Sequence, residues 1–221
     1  MQYLMDLFHK VYDVQGLVRI GGLALIAGVI FAETGLLVGF FLPGDSLLVT
    51  AGLYCTSANP DKAPLLNILT LNLAAIAAAI IGDTVGYWIG AKAGPAIFTR
   101  EQSLLFSRKH LLRTKEFYER HGGKTIIIAR FLPFVRTFAP VVAGVGKMSY
   151  KRFLTFNVFG GLGWVLSMTL LGFTLGTLYP PITKQIDKVI IVIIAVSLLP
   201  GFISYLINRR KKSSTSATLA M

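Results

Sequence analysis

Residues 125–146 read TIIIARFLPFVRTFAPVVAGVG, and this stretch decides the fold. It is apolar enough for a membrane, yet it carries Arg130 and Arg136 together with Pro133 and Pro140. A straight spanning helix needs about 20 predominantly apolar residues. Proline removes a backbone donor and disrupts helical packing. Interrupted backbone survives at membrane depth only where protein or water satisfies the freed groups. The stretch therefore reads as a broken, re-entrant hairpin.

A second interrupted segment lies upstream. The apolar run 17–56 is too long for one helix and is cut by FLPGDS at 41–46. Its core, FLPGDSLLVTAG (41–52), resembles FLPFVRTFAPVVAG (131–144): both open on Phe-Leu-Pro and close on Ala-Gly. Each has an ionisable residue upstream, Glu33 and Arg130, and each precedes a glycine-studded helix, GDTVGYWIGAKAG (82–94) and GGLGWVLSMTLLGFTLG (160–176). The first break falls at Pro43 and Gly44, the second at Pro133 and Pro140. Interrupted apolar segments at matching places in two halves point to a transporter built as an inverted repeat.

The runs 65–98, 153–179 and 188–207 suit simple spans. The whole composition agrees, with 54% hydrophobic and 14% charged residues against about 25% charged in a typical soluble domain. The net charge of +12, from 22 Lys and Arg against 10 Asp and Glu, does not point to nucleic acid, because the basic residues fall mainly in the connections. Arg100, Arg108, Lys109, Arg113, Lys115, Arg120 and Lys124 place the 99–124 connection in the cytoplasm, and RRKK at 209–212 places the C-terminus there. Lys10 and Arg19 favour a cytoplasmic N-terminus, and the nearly neutral 57–64 connection is expected outside. The first hairpin then opens outward and the second inward.

The expected architecture is an all-α integral membrane domain over 1–207. It is an inverted repeat with two facing re-entrant helical hairpins (33–56 and 125–146) and about four full transmembrane helices. Interfacial amphipathic helices are expected at 1–15 and in the 99–124 connection. A basic, disordered tail follows at 208–221. No cleavable signal is expected in MQYLMDLFHKVYD, and the lone Cys55 excludes an intrachain disulfide.

Four charges inside apolar segments carry the chemistry: Glu33, Asp45, Arg130 and Arg136. Each would cost about 2.5–3.5 kcal/mol at mid-membrane if left alone, so they pair, line water, or both. Six helical residues separate the arginines by roughly 240°, and the Pro133 break lets them converge. Two converging arginines suit phosphate or carboxylate through bidentate hydrogen bonds. Buried acids beside them could exchange protons. The competing account is a static Glu/Asp–Arg clamp between the hairpins. Asp83 is a lesser candidate for the acidic group. The glycines at 82, 86, 90 and 94 read as a packing stripe. His9, His110 and His121 fall outside the spans, so no metal site or cofactor is expected, and an enzyme is the weaker class.

ETGLLVGFFLPGDSLLVTAG (33–52), GDTVGYWIGAKAG (82–94) and IARFLPFVRTFAPVVAGVGKMSY (128–150) closely resemble the DedA family. Its superfamily includes the VTT-domain, SNARE-associated proteins. The resemblance covers about residues 20–180. It implies a multi-pass protein of the bacterial inner membrane with two facing re-entrant hairpins. It also implies lipid translocation: undecaprenyl phosphate recycling, or phospholipid flipping or scrambling, proton-dependent in some members. The family's essential acids match Glu33 and Asp45, and its essential arginines match Arg130 and Arg136. The expected partners are membrane lipids through their phosphate headgroups, with protons and a homo-oligomer left open. The alternative is proton-coupled transport of a small ion or cationic solute.

Overall fold

The computed structural model describes residues 14–36, 42–57, 65–97 and 124–179. They form six helices: α1 (Val14–Gly35), α2 (Gly44–Tyr54), α3 (Ile68–Ile97), α4 (Lys124–Arg130), α5 (Pro133–Val145) and α6 (Tyr150–Leu178). There is no strand among the described residues.

Length separates the helices into two kinds. In α3, Ile68–Ala93 is apolar over 26 residues, and α6 is apolar over 29, so both are long enough to cross a bilayer. α3 starts where Asn67 Oδ1 accepts the backbone N–H groups of Leu69 at 2.8 Å and Thr70 at 3.3 Å. That cap satisfies donors a helix start leaves free. By contrast α2, α4 and α5 have 11, 7 and 13 residues. At 1.5 Å per residue none exceeds about 20 Å, short of a hydrocarbon core of about 30 Å.

The breaks fall where proline chemistry puts them. α4 ends in a turn in which Phe131 and Leu132 donate to the carbonyls of Ile128 and Ala129, and Pro133 begins α5. At that first position its missing N–H costs nothing. Pro140, expected as a further break, instead lies inside α5, which continues past it to Val145. It cannot donate to the carbonyl four residues back, which is that of Arg136. α1 is also divided, because Gly22 adopts φ 50° and ψ −145°.

Glu33 sits in the last turn of α1, so the first interrupted segment comprises the end of α1 followed by α2. Residues 14 and 15, read as part of an interfacial helix, belong to α1. Residues 1–13, residues 37–41 of the expected first hairpin, the 58–64 and 98–123 connections, and residues 180–221 with the 188–207 span and the 208–221 tail lie outside the described residues.

The halves exchange partners. α2 packs against α6, the long helix of the second half, and α5 packs against α3, the long helix of the first. Glycines allow both crossings. A Cβ on Gly52 or Gly172 would overlap the backbone of Thr169 or Val49, and one on Gly90 or Gly144 would overlap the backbone of Val141 or Tyr87. Gly82 meets α1 in the same way, at Thr34 and Gly35. Gly82 and Gly90 of the stripe thus serve close helix approach, while a Cβ on Gly86 would make ordinary contacts at 3.5 Å or more. Outward-facing side chains include Leu69, Leu73, Ile81, Ile128 and Phe159, an apolar exterior suited to lipid.

The crossing makes a testable contrast. Gly172→Ala places a methyl group into the Val49 carbonyl, whereas a Cβ on Gly163 meets nothing within 4 Å. Gly163→Ala is expected to leave stability unchanged or raise it by about 0.5–1 kcal/mol through helix propensity. Gly172→Ala is expected to cost about 1–3 kcal/mol through overpacking. Thermal unfolding in detergent of the two variants checks the difference.

Candidate functional site

Five charged side chains from five helices meet inside the bundle. Arg136, on α5, donates from Nη1 to Asp45 Oδ1 at 2.6 Å and from Nη2 to Glu33 Oε1. Arg130, at the end of α4, donates from Nη2 to Asp83 Oδ2 and to Asn157 Oδ1. Glu33, Asp83, Arg130 and Arg136 are buried, and the Asp45 side chain is 13% exposed. These three carboxylates are all the acidic residues among the described segments.

Local backbone explains how each group arrives. Asp45 lies in the first turn of α2, where the helix dipole favours a carboxylate. Glu33 reaches the same helix start, because a Cβ on Gly44 would coincide with its carboxylate. Only glycine at 44 leaves room for that oxygen. Arg130 lies along Gly160 and Gly161 of α6, with a Cβ at either position meeting guanidinium atoms at 3.6 Å.

Trp164 joins the two ion-pair groups. Its indole Nε1 donates to Asp45 Oδ1 at 2.8 Å. The Arg136 Cζ lies 4.6 Å from the ring centroid and the Arg130 Cζ 5.8 Å. Both distances fall in the cation–π range. Asn157 closes the other side, donating from Nδ2 to the Ile80 carbonyl at 3.1 Å. Beyond the cluster, Thr169 Oγ1 donates to Asn72 Oδ1 at 2.6 Å, a second polar tie between α6 and α3.

The structure thus brings together Glu33, Asp45, Arg130 and Arg136, the four residues singled out from sequence. Each arginine is held by acids from other helices, and both lie against one indole. Asp83 is more central than its sequence context suggested, since it is the carboxylate paired with Arg130. Trp164 and Asn157 were not singled out. Their spacing held a usable signal: 157, 161 and 164 lie on one helical face, where a polar amide and an indole N–H interrupt an apolar span.

The cluster is not fully satisfied. Glu33 Oε2, Arg130 Nε, Arg136 Nε and Thr137 Oγ1 are buried without a hydrogen-bond partner. Three carboxylates also face two guanidinium groups, so the fully ionised cluster carries an excess negative charge. A proton on one acid would balance it. Among the described residues no His, Cys, Asp and Glu group has the arrangement to hold a metal ion.

The family model for the VTT domain matches residues 20–174, which contain all five charged residues. Protein DedA of Escherichia coli (strain K12) is 46% identical over 187 residues, covering 85% of this chain and 83% of that protein. An uncharacterized membrane protein of Mycobacterium leprae is 42% identical over 188 residues, covering 85% and 81%. Inner membrane protein YghB of Salmonella typhimurium is 34% identical over 191 residues, covering 85% and 84%. No solved structure matches the chain.

Proposed function

The chain belongs to the DedA family of VTT-domain membrane proteins, and on that premise we propose that it moves phosphate-bearing lipids across the bilayer. It acts in this reading as a flippase or scramblase for undecaprenyl phosphate or a phospholipid. It lies in a bacterial inner membrane with both termini cytoplasmic, about four full spans and two re-entrant hairpins. Its role is transport rather than catalysis.

One observation carries the reading: two buried arginines are held between the interrupted segments by three carboxylates. Intramembrane charges mark substrate paths and proton relays. An arginine fork suits a phosphate as well as it suits a carboxylate. An arriving headgroup replaces the acids on Arg130 and Arg136, and the displaced acids accept a proton or a new donor. The acyl or prenyl tail stays in lipid while the headgroup crosses. The surplus carboxylate also favours a second reading, proton-coupled transport of a small ion or cationic solute.

Reconstituted vesicles separate the two. The protein is expected to move labelled undecaprenyl phosphate or labelled phospholipid between leaflets, and Arg130→Ala is expected to reduce this to the protein-free rate. Proton flux driven by an added small cation, with no lipid movement, would establish the second reading instead.

A further inference from the structure

Trp164 is fully buried at mid-helix in α6, and its role exceeds packing. Asp45 Oδ1 accepts two hydrogen bonds, one from Arg136 and one from the Trp164 indole. The charged groups around it come from every neighbouring helix: Glu33 from α1, Asp83 from α3, Arg130 from α4 and Arg136 from α5. When an anionic headgroup occupies Arg136, both of that arginine's acids lose their donor. A buried carboxylate left without a partner is strongly unfavourable. Asp45 keeps the indole N–H. Glu33 has no equivalent, since its Oε2 has no partner and its Oε1 bonds Arg136.

We propose that Trp164 is a positioning residue that holds Asp45 by its indole N–H when a phosphate headgroup occupies Arg136. The inference rests on the lipid-phosphate reading above. It makes the two acids of Arg136 unequal: Asp45 is released onto a waiting donor and Glu33 is not. The ring also stays against both arginines, so a headgroup displacing Asp45 changes the surroundings of this indole directly.

The chain has two tryptophans, and Trp88 is 48% exposed and packs against Tyr87 and Tyr150. Trp88→Phe therefore leaves Trp164 as the sole indole reporter. In nanodiscs, farnesyl phosphate is expected to produce a saturable change in Trp164 emission, and farnesol none. In vesicles, Trp164→Phe keeps an aromatic ring without the N–H. It is expected to slow phosphate-lipid movement about tenfold or more near pH 7.5, the scale of a lost hydrogen bond to a charged group. In an Asp45→Asn background the same change is expected to cost less than about threefold, because a neutral amide at 45 has no charge for the indole to hold. Mere packing damage is the same in both backgrounds.

Movement at the parental rate in Trp164→Phe overturns the inference and leaves the lipid reading standing. So does a loss of equal size in the Asp45→Asn background. Absence of lipid movement in the parental chain overturns both. Should Trp164→Phe fail to fold, the emission experiment decides alone: an unchanged emission in a Trp88→Phe protein that moves lipid overturns the proposal.

Discussion

Arg136→Ala is expected to abolish lipid movement and to lower stability by about 3–5 kcal/mol, the usual cost of removing one partner from a buried ion pair. The substitution strips Glu33 of the Arg136 donor and leaves Asp45 with the indole of Trp164. Two acids on α1 and α2 then face each other without a cation between them. Arg136→Lys tests the geometry apart from the charge. A lysine carries a point charge on a flexible stem and lacks the planar fork, while Arg136 uses its two Nη atoms on two different carboxylates. Transport by Arg136→Lys is expected to fall at least about tenfold with a smaller loss of stability. Vesicle transport and thermal unfolding measure both. A parental melting temperature in Arg136→Ala would mean that this ion pair does not hold α1, α2 and α5 together.

The second large effect separates a static tie from a working site. Arg130→Met alone and Asp83→Leu alone are each expected to cost about 3–5 kcal/mol, since each strands a buried charge. The double variant Arg130→Met/Asp83→Leu is expected to recover most of that loss, because apolar replacement of a whole buried pair is often neutral. Asn157 loses one bond in the double variant but keeps its bond to the Ile80 carbonyl. Transport is expected to remain absent despite the recovered stability. A double variant that is stable and moves lipid at the parental rate would reduce the Arg130 pair to a clamp. Unfolding and transport measured on the same four proteins give the answer through a double-mutant cycle.

Much of the site was legible before any coordinates because charge inside an apolar run is conspicuous. Glu33, Asp45, Arg130 and Arg136 each violate the composition of their surroundings, and Pro43 and Pro133 mark where new helices begin, whereas Pro140 is carried inside α5. Asp83 was harder to rank. Its neighbours Gly82 and Gly86 gave an equally good packing account, and only the approach of Arg130 across the bundle makes it an ion-pair partner. Asn157 and Trp164 were missed because neither violates a membrane span: amides and indoles occur there without any charge penalty. Their importance comes from what they face, Arg130 and Asp45, which lie 27 and 119 residues away in the chain.

Local chemistry sets the solvent, the helical class and the helix starts at Pro43 and Pro133. Each of these depends on local chemistry: apolar run length, proline's missing donor and the cost of an isolated charge in lipid. How the halves engage depends instead on contacts between distant segments. α2 crosses α6 and α5 crosses α3 because glycines far apart in sequence let backbones touch, at Gly52 and Gly172 and again at Gly90 and Gly144. The same contacts decide which acid holds which arginine. In an apolar medium any of the three carboxylates satisfies either guanidinium, so pairing follows from which helices lie close enough, and that is set by packing between distant segments.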